Sequence, residues 1–220
     1  RTNPFLRELM ERSKIVLGDH PVNHERISRG QPPATGIWLF WGCGRVPDMP
    51  PFRQVYGMPA ALTSGVDLLR GLASMASIDV LQIFGVTDGL DNDYAAQAEG
   101  ALAALEMHDL VVIHVEASDE AAHSGIIDDK VEAIQIVDDE IAGRIRGYRG
   151  DDLRVLVMPD HPTPIALRTH SAEPVPFMLW GNGVASNGVR RFTEAEAGKT
   201  GVFIGEGYRI MSRLLLPKSS

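Results

Sequence analysis

The chain has 220 residues, 44% of them hydrophobic and 23% charged, with a formal net charge of −8 and a pI near 5.3. That composition excludes general disorder, and the acidic balance argues against an extended nucleic-acid surface, which would carry clustered Lys and Arg. A single cysteine, Cys43, excludes an internal disulfide and fits a reducing, cytoplasmic setting. No apolar run approaches the roughly 18 residues a membrane span needs, and RTNPFLRELMERSK lacks the apolar segment of a signal peptide. The first residue is Arg1 rather than methionine, so further residues are expected upstream.

In chain order, Pro4 to Leu17 shows apolar residues at helical spacing and is followed by a loop, GDHPVNHERISRGQPPATG. IWLFW, 37–41, reads as a strand closing into GCGR; AALTS, 60–64, reads as a weak strand, and Val66 to Met75 as a helix. VLQIFGV, 80–86, is a stronger strand candidate. A helix over AAQAEGALAALEM, a strand over DLVVIHVE and a long helix from IDDKVEAIQIVDDE to IAGRIRGY come next, the last with Val131, Ile134, Val137 and Ile141 on one face. RVLVM and PVPFMLWG supply two more strands, and a final helix runs from about Gly205 to Leu216. Alternation of strands and helices predicts an α/β fold, a mostly parallel sheet sandwiched by helices.

Five side chains carry the chemistry. Asp119 and His123 in EASDEAAH are four residues apart and would share one helical face. Asp160 and His161 follow the strand RVLVM, where open α/β sheets place ligands, and His170 lies in LRTH. Carboxylate oxygen with imidazole nitrogen suits Zn²⁺, Mn²⁺ or Co²⁺, and two such ions about 4 Å apart clamp a phosphoryl group in in-line displacement. Taken singly, each has a plainer reading that is the better one: Asp119 as a helix cap, Asp160 as a turn residue, His123 and His170 as surface groups. As a set they point to phosphoryl transfer.

Around them, His20, Asn23 and Arg26 in the long loop and Arg45 in GCGR are candidate anion contacts, against the plainer reading of a solvated loop. His114, inside an apolar strand, reads as a buried, hydrogen-bonded histidine, and Cys43 as a small core residue. Glu116 and Glu120 flank the ligand motif as candidate supports for its histidine.

The blocks HPVNHERISRGQPPATGIWLFWGCGR, GVTDGLDNDYAAQA, EASDEAAHSG with KVEAIQIVD, and MPDHPTP with HSAEPVPFMLWG resemble, in order and over nearly the whole chain, the archaeal-type cofactor-independent phosphoglycerate mutases. The resemblance implies an alkaline phosphatase-like fold and interconversion of 3-phosphoglycerate and 2-phosphoglycerate, a step of glycolysis and gluconeogenesis. It implies a Ser or Thr phosphoenzyme, two divalent ions (Mn²⁺ or Zn²⁺, with Co²⁺ or Mg²⁺ as further candidates) and no bisphosphoglycerate. It places Asp119, His123 and His170 at one ion and Asp160 with His161 at the other.

The resemblance also implies an aspartate and a nucleophile upstream of an inserted domain, and those blocks are not found. Residues 1–220 are therefore expected to be the C-terminal part of the metal-binding phosphatase-like domain, inactive alone. Gln97 stands where the resemblance implies a lysine, and Pro159 where it implies a glycine. A related metal-dependent phosphatase or phosphotransferase on another small phosphorylated metabolite, and a noncatalytic binding module, are the alternatives. No nucleic-acid or membrane partner is expected, and a homo-oligomer is left open.

Overall fold

The computed structural model describes residues 3–39, 44, 47–150 and 152–215. They fall into two compact units, Arg1–Asp48 and Met49–Ser220. In the first unit, helix α1 (Pro4–Gly18) begins where Asn3 accepts a hydrogen bond from the Phe5 N–H and Pro4 supplies a preset φ. The segment expected to be only loop contains helix α2 (Pro21–Ser28). Pro21 has no N–H to lose at a first helical position, and the His20 ring accepts the Val22 N–H at 3.3 Å. Ile37 to Leu39 form no strand; the Ile37 N–H instead donates to Ser13 Oγ of α1 at 3.0 Å. Phe40, Trp41, Cys43 and Arg45 lie outside the described residues.

The second unit is built on a three-stranded parallel sheet. After α3 (Phe52–Tyr56), β1 (Ala60–Thr63) leads into α4 (Asp67–Met75), β2 (Asp79–Val80), α5 (Tyr94–Ala104) and β3 (Leu110–Ile113). The strand order is β2-β1-β3, with Ala60 opposite Leu110 and Thr63 opposite Ile113. All four residues of β1 are buried, as a central parallel strand covered on both faces requires. The strength of the two candidate strands is thus inverted: AALT is the centre, whereas only Val80 of VLQIFGV is in a strand. That run turns at Gly85, whose φ of +83° suits glycine, and leaves Phe84 97% exposed.

Side chains of β3 alternate between two cores, which is the helix-sheet-helix sandwich seen at residue level. Leu110 and Val112 pack with Phe52 and Ala60, closed by Met211 and Leu214 of α10 (Met211–Leu214). Ile113 packs on the opposite side with Tyr94, Ala98, Ala117, Ala133 and Ile141. Those last residues come from α5, from α6 (Ala117–Ser124), from α7 (Ile127–Ile136) and from the π-helical turn Val137–Ala142 that joins α7 to α8 (Gly143–Gly147). Half of the expected apolar face holds: Val137 and Ile141 reach the core, joined by Ala133 and Ile145, whereas Val131 and Ile134 are 48% and 53% exposed. A π turn takes an extra residue per turn, so positions four apart stay aligned across it.

Strand β4 (Arg154–Val157) pairs antiparallel with β5 (Met178–Gly181) in a second, two-stranded sheet. Helix α9 (Glu194–Lys199) was not expected from the sequence; Thr193 Oγ1 accepts the Glu196 N–H at 3.2 Å and caps it. The final helix is shorter than expected, a 3-10 turn at Gly207–Arg209 followed by α10. Among the described residues no helix is long and apolar enough to cross a membrane.

Two glycines make opposite predictions. A Cβ at Gly65, between β1 and α4, would lie 2.2 Å from the Thr87 carbonyl carbon. Gly65→Ala should therefore cost about 1–3 kcal/mol and lower Tm by several degrees in a thermal melt. Gly71 within α4 has open space around it, so Gly71→Ala should stabilise by about 0.5–1 kcal/mol.

Candidate metal centre

The site stands beside the carboxyl end of β3. His114 continues the ladder, its N–H donating to the Thr63 carbonyl at 3.0 Å, and α6 opens three residues later. Asp119 in the first turn of α6 and His123 in its last sit one turn apart, and Asp119 Oδ2 is 3.2 Å from His123 Nε2. The helix geometry expected from the four-residue spacing is present.

Asp160, His161 and His170 arrive on the segment after β4. The Ser171 N–H donates to the Pro162 carbonyl at 3.1 Å and closes a loop over residues 162–171. That closure stacks the His161 and His170 rings with centroids 3.7 Å apart. His170 Nε2 lies 3.1 Å from His123 Nε2 and 3.8 Å from Asp119 Oδ1. Donor atoms of Asp119, His161 and His170 all lie within 4.8 Å of one another. Asp160 stays nearer the rim, with Oδ1 accepting the His161 N–H at 3.0 Å and Oδ2 3.4 Å from His161 Nε2. The structure therefore brings the five candidate ligands to one place, and joins His161 to the Asp119 group more closely than a division into separate trios and pairs would suggest.

Hydrogen bonding decides which way the imidazoles face. His123 Nδ1 is 3.0 Å from the Arg168 carbonyl oxygen, which can only accept, so Nδ1 carries the proton. Nε2 is then the atom turned toward Asp119 and His170. An imidazole nitrogen and a carboxylate oxygen facing each other at 3.2 Å either share an added proton or present two lone pairs to a cation. Arg168 reaches this position with φ of +52°, and its guanidinium packs so tightly on Gly125 that a Cβ there would lie 2.4 Å from Nε. Gly125, at φ +77°, also ends α6. One glycine thus serves the helix stop and the close approach.

Behind the candidate ligands, buried Ser64 and the partly buried His114 and Glu116 form a polar row. Ser64 Oγ lies 3.0 Å from His114 Nδ1, and His114 Nε2 lies 3.2 Å from Glu116 Oε2. Burial lowers the His114 pKa, against smaller opposing pulls from Asp160 and Asp119. The contact to Glu116 is accordingly a hydrogen bond from a neutral ring rather than an ion pair. Burial also raises the Glu116 carboxyl, and nearby Asp119, Asp160 and Glu120 push it further in the same direction. Glu116 contacts His114 rather than the candidate ligand histidine it was expected to serve, and His114 is hydrogen-bonded as its strand position implied but only partly buried.

Gln97, where a lysine was expected, is 1% exposed. Its Nε2 donates to the His114 carbonyl at 3.0 Å and its Oε1 accepts from Asn92 Nδ2 at 2.9 Å. It is a structural tie rather than a group facing solvent. Thr163, which sequence reasoning passed over, is buried between the ligands: Oγ1 donates to Asp119 Oδ1 and lies 3.3 Å from His161 Nδ1. The available signal was a hydroxyl held between Pro162 and Pro164, two residues beyond an Asp-His pair.

The remaining candidates lie in the other unit. His20 caps α2, and Arg26 Nε donates to the Pro32 carbonyl at 2.9 Å. Asn23 is buried, donating to the Leu17 and Ala34 carbonyls at 2.6 and 2.7 Å. Arg45 is outside the described residues.

An α/β sandwich with aspartates and histidines converging beside a parallel sheet is the architecture of a protein that can hold divalent metal ions. A profile of the Metalloenzyme superfamily matches residues 5–216, and the chain belongs to that superfamily. A Methanothrix thermoacetophila protein named 2,3-bisphosphoglycerate-independent phosphoglycerate mutase is 45% identical over 215 residues, 96% of this chain and 54% of that protein. A Geobacter sulfurreducens protein with the same name, qualified as probable, is 40% identical over 213 residues, covering 96% and 53%. The chain spans about half the length of the curated relatives it matches.

Among solved structures, a Pyrococcus horikoshii protein superposes with a TM-score of 0.77 at 30% identity, over 89% of this chain and 51% of its own. The cofactor-independent phosphoglycerate mutase of Thermoplasma acidophilum shares the fold at a TM-score of 0.59 and 24% identity, over 94% and 49%. Family and donor set together point to divalent metal ions.

The tie at Gln97 is testable by itself. Gln97→Met keeps the volume but leaves the His114 carbonyl and the Asn92 amide without their partner. It should cost about 2–3 kcal/mol in denaturant unfolding; a cost below about 0.5 kcal/mol would contradict the structural role.

Proposed function

We propose that this chain supplies the metal-ligand part of a cofactor-independent phosphoglycerate mutase, interconverting 3-phosphoglycerate and 2-phosphoglycerate in the parent protein. The observation that carries the reading is the convergence of Asp119, His123, His161 and His170, with His123 Nε2 turned inward by the Arg168 carbonyl. The similarly named relatives support the choice of substrate.

In this reading Asp119, His123 and His170 hold one divalent ion, and Asp160 and His161 contribute to a second. Mn²⁺ or Zn²⁺ suits the mixed oxygen and nitrogen donors best, with Co²⁺ and Mg²⁺ as weaker candidates. Bound there, such ions supply Lewis-acid stabilisation of the charge that develops on a transferring phosphoryl group. The chain's own residues do the positioning. The helical turn of α6 sets the Asp119 to His123 distance, and the closed loop 162–171 presents His161 and His170 as a stacked pair. Glu116, Asp119, Glu120 and Asp160 concentrate negative charge that favours a cation over a bare phosphate.

A phosphoenzyme route also needs a Ser or Thr nucleophile, which we assign to a part of the parent outside these 220 residues. Arg26 and Arg45 are proposed to meet the substrate's anionic groups. His20 and Asn23 are proposed to act by shaping the loop around Arg26, since their side chains hydrogen-bond to backbone groups. A glycolytic, cytoplasmic setting follows from the proposed activity.

Elemental mass spectrometry of the purified chain should find about one tightly held Mn²⁺ or Zn²⁺ per chain, lost in Asp119→Ala, His123→Ala. Equal metal in both proteins would sink this ligand assignment. In a coupled assay with 3-phosphoglycerate the 220-residue chain should show no isomerase turnover, whereas the parent protein should convert it to 2-phosphoglycerate. Turnover by the chain alone would overturn the division of labour, and release of inorganic phosphate by the parent would indicate a phosphatase.

A further inference from the structure

Thr163 touches both ligand groups and belongs to neither. It is 4% exposed, its Oγ1 donates to Asp119 Oδ1, and the same oxygen lies 3.3 Å from His161 Nδ1. A hydroxyl has one proton, and a carboxylate oxygen can only accept, so that proton is spent on Asp119. Toward His161 the hydroxyl can then act only as acceptor. His161 Nδ1 must carry the hydrogen, and His161 Nε2 is left facing Asp160 Oδ2 at 3.4 Å. The arrangement repeats that of His123, where the Arg168 carbonyl takes the Nδ1 proton and Nε2 faces Asp119.

Thr163 is itself anchored. Its backbone carbonyl accepts from Lys130 Nζ at 3.0 Å, and Lys130 is on α7, the helix that follows α6. The flanking prolines, Pro162 and Pro164, restrict the backbone on both sides. The hydroxyl thus sits at a fixed point between a carboxylate carried by α6 and an imidazole carried by the loop after β4.

We propose that Thr163 is a positioning residue that joins the two halves of the centre. Through one hydroxyl it orients the Asp119 carboxylate and selects the His161 tautomer with Nε2 available for a metal ion, so its loss weakens both halves together. The consequence for metal binding rests on the function proposed above; the tautomer selection does not.

The test uses the 220-residue chain with Thr163→Val, which keeps the shape and removes the hydroxyl, and Thr163→Ser, which restores it. In metal-free protein at about pH 8, long-range ¹H–¹⁵N spectra of the histidine rings report which nitrogen bears the proton, with His161→Gln used to assign the signal. The parent and Thr163→Ser should show His161 protonated at Nδ1, and Thr163→Val should shift toward the Nε2-protonated form. In calorimetric titrations with Mn²⁺ and Co²⁺, Thr163→Val should weaken binding about 10- to 100-fold and alter the Co²⁺ visible absorption, while Thr163→Ser stays within about threefold of the parent.

An unchanged His161 tautomer with parent-like affinity in Thr163→Val would overturn the proposal and leave the metal reading standing. Failure of the parent chain to bind either ion would count against the proposed function, and the ring spectra would still decide the role of Thr163. Should Thr163→Val lose its folded circular dichroism spectrum, Thr163→Ala removes the hydroxyl without placing a methyl against the carboxylate, and the same comparison applies.

Discussion

The centre depends on where two imidazole protons go. The His123 Nδ1–H donates a hydrogen bond to the Arg168 carbonyl, and the remaining nitrogen faces a carboxylate and a second histidine. Without that acceptor the ring could flip its tautomer and direct an N–H into the centre, where it would compete with a cation instead of helping to hold one. The choice rests on a backbone conformation, Arg168 at positive φ, and on a glycine small enough for its side chain to pass. Chemistry at the ligands is thus tied to packing at a residue that bears no functional group.

The parallel sheet supplies the platform. Because β1 is buried along its whole length, the ends of β1 and β3 are held in fixed register, and Ser64, His114 and Glu116 line up beyond them. Gln97 ties the end of β3 to the Asn92 turn, completing a polar layer whose members satisfy one another. Such a layer is costly to break and expensive to leave half-paired, which is why it makes a rigid floor. The acidic groups above it raise the Glu116 carboxyl together with burial, so the same compact placement that stiffens the floor concentrates negative charge. A divalent cation relieves that repulsion. The family assignment and the donor set are two independent routes to the same class of chemistry.

Much of the helical content was readable because its signals are local. Pro4 and the apolar spacing beyond it mark α1, whereas the six-residue α9 is too short to show a periodic pattern and was not expected. Strand strength was not readable in the same way. AALT is short and rich in alanine, yet it is the central strand because small residues let helices close on both faces; VLQIFGV is more apolar but turns away at Gly85. On the long helix the apolar residues Val131 and Ile134 are exposed while Ala133 is buried, so which apolar positions face the core is set by the neighbouring elements rather than by hydrophobicity alone.

For the site, the sequence by itself determined the candidate donor types and one distance. Asp119 and His123 lie four apart, and a helix converts that spacing into neighbouring side chains without help from the rest of the chain. It also determined that Asp160 and His161 follow a strand. Only the tertiary structure decided that His161 stacks on His170, that Thr163 stands between Asp119 and His161, and that Gln97 is buried beneath them. Of these, the Asp119–Thr163 contact joins residues 44 positions apart, and the approach of His123 to His170, likewise set by packing, joins residues 47 apart. Spacing along a chain specifies geometry only within one element; between elements, the folded packing of loops and helices sets it.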